Sequence, residues 1–199
     1  MGLDPLLLLV SFIGFFLALS VHEFAHALVA YQLGDRTAAH SGRLTLNPLA
    51  HIDLFGTIIL PLLLILSNSG IVFGWAKPVP VNYFALKDQR WGPAKVSLAG
   101  PAANLIFGII CLVLYVVVFK FTSLAPTNLL IIFLPNLAFI NFILMVFNLI
   151  PIPPLDGAQV LFALLPHRYD NVKMLLQQYG MVLLLLLLFM GVGFVFVIS

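Results

Sequence analysis

Apolar runs long enough to cross a hydrocarbon core recur along this chain of 199 residues, and nothing else in the sequence restricts its fold so strongly. They are Leu6 to Leu33, Leu54 to Phe73, Pro93 to Phe119, Asn128 to Leu165 and Met174 to Ser199. Apolar types make up 62% of the residues and charged types 8%, against a usual charged fraction of about 25%. A buried soluble core does not need so many. The Asn128 to Leu165 run is too long for one straight helix at about 1.5 Å per residue. Pro135 interrupts it near the start, and Pro151, Pro153 and Pro154 interrupt it again, so Ile150 to Leu155 is expected to be extended. The fold expected is an all-α membrane protein, a polytopic bundle of about five spans (four to six), one broken by a proline-rich unwound segment. Residues 1–199 read as a single domain in the cell membrane.

The connections carry the polar residues. RLTLNPL alternates weakly, which suggests a short strand over Arg43 to Leu46. Trp75, Tyr83 and Trp91 flank the runs as interfacial anchors do, and Pro93 suits a first helical turn. Net charge is +2 and the basic residues are scattered, with no run to track a nucleic-acid backbone. Alternating spans put six lysines and arginines on the side of the Trp75 and Arg168 loops and three on the other, which places the N-terminus in the cytoplasm. The single cysteine, Cys111, lies in an apolar run and reads as lipid-facing or helix-packing filler. Asp4, with no basic residue before the first run, argues against a cleaved leader.

His22-Glu23-Phe24-Ala25-His26 is the feature richest in chemistry. Four residues turn a helix by about 40° beyond a full circle, so both imidazoles leave one face about 6 Å apart along the axis. Both can then reach one zinc ion, with Glu23 beside them to take a proton from metal-bound water. Glu23 is the only glutamate in the chain, and it stands inside an apolar helix, where an ionisable group is costly unless used. A histidine pair that merely bonds two helices is the structural alternative.

A catalytic zinc wants a third protein ligand and one open position. Candidates are His40, His51, Asp53, Asp156, His167 and Asp170. Asp156 is preferred, because it follows an unwound stretch within an apolar run, where free backbone is tolerated only beside protein or a watery cavity. Capping a helix is its alternative role. Asn148, eight residues earlier, could donate to an oxyanion, whereas Asn104 and Asn141 suit hydrogen bonding between helices. Nitrogen and oxygen ligands at this spacing favour zinc over magnesium or calcium.

With these motifs together, the chain resembles the site-2 protease family of intramembrane zinc metalloproteases. The resemblance rests on the HEFAH segment and on Asn148-Leu149-Ile150-Pro151-Ile152-Pro153-Pro154-Leu155-Asp156-Gly157, with GRLTLNPLAHID, GWAKPVPVN and AGPAANL between them. It covers about Leu17 to Leu165 and fits the small prokaryotic members without a PDZ or CBS domain. It implies that His22, His26 and Asp156 bind one zinc ion per chain and that Glu23 is the base. It also implies that Asn148 contacts substrate, with Asn104 and His51 in support. The activity implied is hydrolysis of peptide bonds in membrane-embedded protein substrates, which must unwind locally because helical backbone groups are already paired. The Arg43 to Asp53 region is expected to offer a strand edge to such a substrate. Membrane lipid is the other partner, nucleic acid is not, and a homo-oligomer is compatible with the sequence. Two rival functions are a zinc-binding membrane adaptor without catalysis, against which the intact Glu23 argues, and a small ion transporter, against which the missing paired repeats argue.

Overall fold

A computed structural model describes residues 5–67 and 77–198. Its α-helices are α1 (Pro5–Gln32), α2 (Thr37–His40), α3 (Leu60–Leu66), α4 (Gly92–Phe121), α5 (Leu129–Asn148), α6 (Asp156–Leu164) and α7 (Asp170–Ile198). A π-helical turn over Leu54–Ile59 leads into α3, and there is no strand among the described residues. Helices α1, α4 and α5 are long and apolar enough to cross a membrane.

These three helices pack on one another, and α6 packs on α4. Their shared core holds Ala18, Cys111, Leu137 and Ala138, with Phe107, Phe133 and Phe142 against it. Small residues set the spacing. A Cβ on Gly108 of α4 would come within 2.8 Å of the Phe142 ring of α5, and one on Gly14 of α1 within 3.1 Å of Ile140. Close approach of this kind holds helices together where lipid tails are as apolar as leucine. The outward faces keep large apolar side chains exposed, among them Leu9, Phe12, Ile106, Ile110 and Val113, which suits a lipid surround.

Several sequence expectations change here. Arg43 to Leu46 is not a strand, because side chains close local turns instead: Asn47 N–H donates to Thr45 Oγ1 and Leu49 N–H to Asn47 Oδ1. Arg43 itself donates forward to the Ala50 carbonyl. Helix α5 runs through Pro135, and Pro93 does sit in the first turn of α4. The segment 149–155 is unwound but folded into turns, with Ile152 N–H bonded to Ile150 O and Leu155 N–H to Ile152 O, so it is not extended. Trp75 and the end of the Leu54 to Phe73 run lie outside the described residues.

The loops also change sides. Lys77 N–H bonds to His51 O at 3.0 Å and Lys87 N–H to Leu33 O at 2.9 Å, so the chain leaves and returns at the C-terminal end of α1. The 35–53 and 77–91 connections therefore share one end, whereas alternating spans had separated them. Gln89, Arg90, His167 and Lys173 line one cavity, which brings the α6–α7 link to that end as well.

Candidate metal centre

Helix α1 carries His22 and His26 on the face turned to α4 and α6, and both are buried. Their Nε2 atoms lie 2.9 Å apart. From the start of α6, Asp156 brings Oδ2 to 3.1 Å from His22 Nε2 and 3.3 Å from His26 Nε2. These three residues form a group able to hold a metal ion.

The hydrogen bonds around the group show what it is built for. His22 Nδ1 lies 2.6 Å from Asn104 Oδ1, and His26 Nδ1 lies 2.7 Å from the Val96 carbonyl. Both partners only accept, so each Nδ1 carries the proton and each Nε2 presents a lone pair. Two imidazole lone pairs and a carboxylate oxygen thus face one buried point, and Asp156 Oδ2 has no hydrogen-bond donor of its own. Three acceptors so placed repel one another unless a cation sits among them. Ligands about 2.0–2.1 Å from a tetrahedral zinc lie about 3.3 Å apart, close to the separations found. The donor set fits zinc.

The local sequence explains how these atoms meet. Gly100 on α4 rides directly against the imidazoles: a Cβ there would lie 2.5 Å from His26 Nε2 and 2.6 Å from His22 Cε1. Pro101, inside the same helix, has no N–H for the Ser97 carbonyl and loosens the ladder beside Val96, whose oxygen receives His26. One turn on, Asn104 receives His22. At the other wall, Gly157 lets α6 start against the end of α5, where a Cβ would sit 2.2 Å from Leu149 O. Asp156 therefore points at the histidines, and it is Leu155, without a capping side-chain bond, that precedes the helix. From behind, Gly180 of α7 presses on Pro153.

Glu23 is buried beside the pair, and its Oε2 accepts the Val79 N–H at 2.8 Å. Asn148, at the end of α5, donates to Leu144 O one turn back at 3.0 Å, and no hydrogen bond joins it to the three donors among the described residues. The other ligand candidates stand elsewhere. His51 Nε2 bonds the Thr45 carbonyl, Asp53 caps Gly56 N–H, and His167 faces Asp170. His40 ends α2 at the exposed surface. Sequence reasoning missed Gly100, although a Gly-Pro pair inside an apolar helix was a visible sign. It also missed the backbone groups of Val79 and Val96, for which no side chain gives a sign.

An imidazole pair on one helix and a carboxylate distant in sequence, meeting among helices of membrane-crossing length, define a metal-binding framework of membrane type. The chain belongs to peptidase family M50, the site-2 protease family, whose model matches residues 10–129 and 117–187. It is 37% identical over 196 residues to the "Putative zinc metalloprotease YwhC" of Bacillus subtilis, covering 97% of this chain and 84% of that protein. A relative named Rip2 from Mycolicibacterium smegmatis is 34% identical over 182 residues, 88% of this chain and 64% of its own length. The zinc metalloprotease MJ0392 of Methanocaldococcus jannaschii is 30% identical over 97 residues, 48% of this chain and 27% of its own. No solved structure matches the chain significantly.

Proposed function

We propose that this chain is a zinc-dependent endopeptidase that cleaves membrane-embedded proteins, acting as a single multi-pass domain in the cell membrane with one zinc ion per chain. The observation that carries this reading is the convergence of His22 Nε2, His26 Nε2 and Asp156 Oδ2, all lone-pair donors, beside a buried glutamate. His22, His26 and Asp156 hold the ion. When bound, it supplies Lewis acidity that lowers the pKa of a coordinated water and polarises a carbonyl. Glu23 takes a proton at Oε1 and returns it to the leaving amine, while Oε2 stays on the Val79 N–H and keeps the carboxylate oriented. An asparagine amide has two N–H groups, and Asn148 spends one on Leu144, which leaves the other for the oxygen of the scissile carbonyl. The substrate must present unwound backbone, since helical amides are already paired.

Crossings by α1, α4, α5 and α7 fit this reading, with the chain around α3 entering and leaving from one side. Arg36, Arg43, Lys77, Lys87, Arg90, Lys95, Arg168 and Lys173 then gather at the end of α1 that carries its C-terminus, and Lys120 alone stands opposite. The positive-inside rule puts the basic end in the cytoplasm and the start of α1 outside, the reverse of the orientation expected from alternating spans.

The test is Glu23→Gln. Purified protein should keep its zinc while cleavage of a single-span substrate disappears, and full cleavage would remove Glu23 from the mechanism. Asp156→Ala should lower zinc content, and unchanged stoichiometry would dismiss it as the third ligand.

A further inference from the structure

We infer that Asn104 and Asn141 form a two-residue relay that fixes the tautomer of His22, so that the metal-binding strength of α1 is set by an amide on α5 that touches no ligand. This rests on the zinc-centre reading above.

An asparagine side chain can present either end, and in a buried site its neighbours choose. Asn141 Nδ2 donates to the Leu137 carbonyl at 2.8 Å; that oxygen can only accept, so Asn141 Oδ1 must face the other way. It accepts Asn104 Nδ2 at 2.8 Å, and the same Nδ2 donates to the Ala18 carbonyl at 3.0 Å. Both N–H groups of Asn104 are thereby spent, and its Oδ1 is turned to His22 Nδ1. The imidazole must carry its proton on Nδ1 and leave Nε2 bare. Both asparagines are fully buried at 0% exposure, so no water can substitute for a missing partner. The relay spans three helices, from Leu137 on α5 through Asn104 on α4 to His22 on α1. His26 needs no such device, because the Val96 backbone oxygen has a single polarity.

If Asn141 cannot accept, one orienting bond on Asn104 is lost and its amide is freer to turn its NH₂ towards His22. The ring then has to protonate Nε2, the atom that should bind metal. The experiment measures zinc affinity by competition with a chelator on the full chain in detergent, together with the Co²⁺ absorption spectrum. Asn141→Leu should weaken zinc binding by up to about a hundredfold, the upper cost of losing the direct hydrogen-bond partner of a ligand, since it acts on His22 through Asn104. Asn141→Asp should restore it, because a fully buried carboxyl stays neutral and keeps both an accepting oxygen and a donating hydroxyl. Circular dichroism and melting of the metal-free variants separate misfolding from mis-set tautomer. Should Asn141→Leu fail to fold, the zinc-loaded wild type decides: His22 Nδ1–H should give a low-field, slowly exchanging proton resonance, and rapid exchange there overturns the relay. Equal zinc affinity in folded Asn141→Leu and wild type also overturns it, with the metal centre intact. A wild type that binds no zinc overturns the metal reading and the relay with it.

Discussion

The Val79 N–H donates a 2.8 Å hydrogen bond to Glu23 Oε2 across 56 residues of sequence, so the segment 77–82 holds the only glutamate of the chain in place. Lys77 N–H on His51 O and Asn82 N–H on Asp35 Oδ2 pin the segment at its two ends. Pro78 and Pro80 flank Val79, so neither neighbouring residue can supply the N–H in its stead.

Val79→Pro removes that donor and should lower kcat about ten- to a hundredfold, the cost of a catalytic group slightly out of place, with zinc content unchanged. Val79→Ala keeps the N–H and should stay near wild-type turnover. Equal turnover in both variants would show that the bond does not orient the base.

Gly100→Ala places a methyl group against both imidazoles, at 2.5 to 2.7 Å from their atoms. The rings must swing away from Asp156, so zinc stoichiometry should fall well below one. Overpacking of this kind also costs about 1–3 kcal/mol. Metal analysis and thermal melting check it, and full zinc occupancy with a wild-type melting point would contradict the close packing described.

Removing the metal should destabilise the fold, since three acceptors are left facing one another. Zinc at about a hundred times its Kd adds roughly 2.7 kcal/mol to a protein that binds it only when folded. A chelator should therefore lower the melting temperature of the wild type and leave that of Asp156→Ala almost unmoved. Equal shifts in the two proteins would place the stabilising zinc elsewhere.

Acid should weaken the junction after α1. Burial by itself pushes the Asp35 carboxyl up, but the Thr37 hydroxyl and N–H and the Asn82 N–H together hold it below the ordinary carboxylate range. A depressed folded-state pKa gives stability that is complete above the unfolded value, about 3.9, and is lost as pH falls through the lower folded value. At neutral pH, Asp35→Asn should cost about 1–3 kcal/mol, the worth of hydrogen bonds to a charge. The gap to wild type should narrow below about pH 4. A gap that stays constant to strong acid would exclude the carboxylate as its source.

Topology is open to labelling. In a Cys111→Ser background, Lys120→Cys should react with an impermeant maleimide added to intact cells, and Arg90→Cys only after permeabilisation. The opposite pattern would restore a cytoplasmic N-terminus.

The sequence determined most of the chemistry. The spacing of His22 and His26 is fixed by helical pitch, and the isolation of Glu23 and Asp156 in apolar runs marks them, because lipid makes an idle charge expensive. Pro151, Pro153 and Pro154 ended α5 as their chemistry requires. What the chain alone did not disclose depends on long-range packing. Whether the connections before and after α3 share a side turned on long-range backbone bonds, from Lys77 to His51 and from Lys87 to Leu33, which no local pattern encodes. Which end of Asn104 meets His22 is decided by carbonyls on two other helices, and the grip on Glu23 comes from a backbone N–H. Backbone groups are the same in every residue but proline, so only the tertiary structure can say which of them a buried charge will meet.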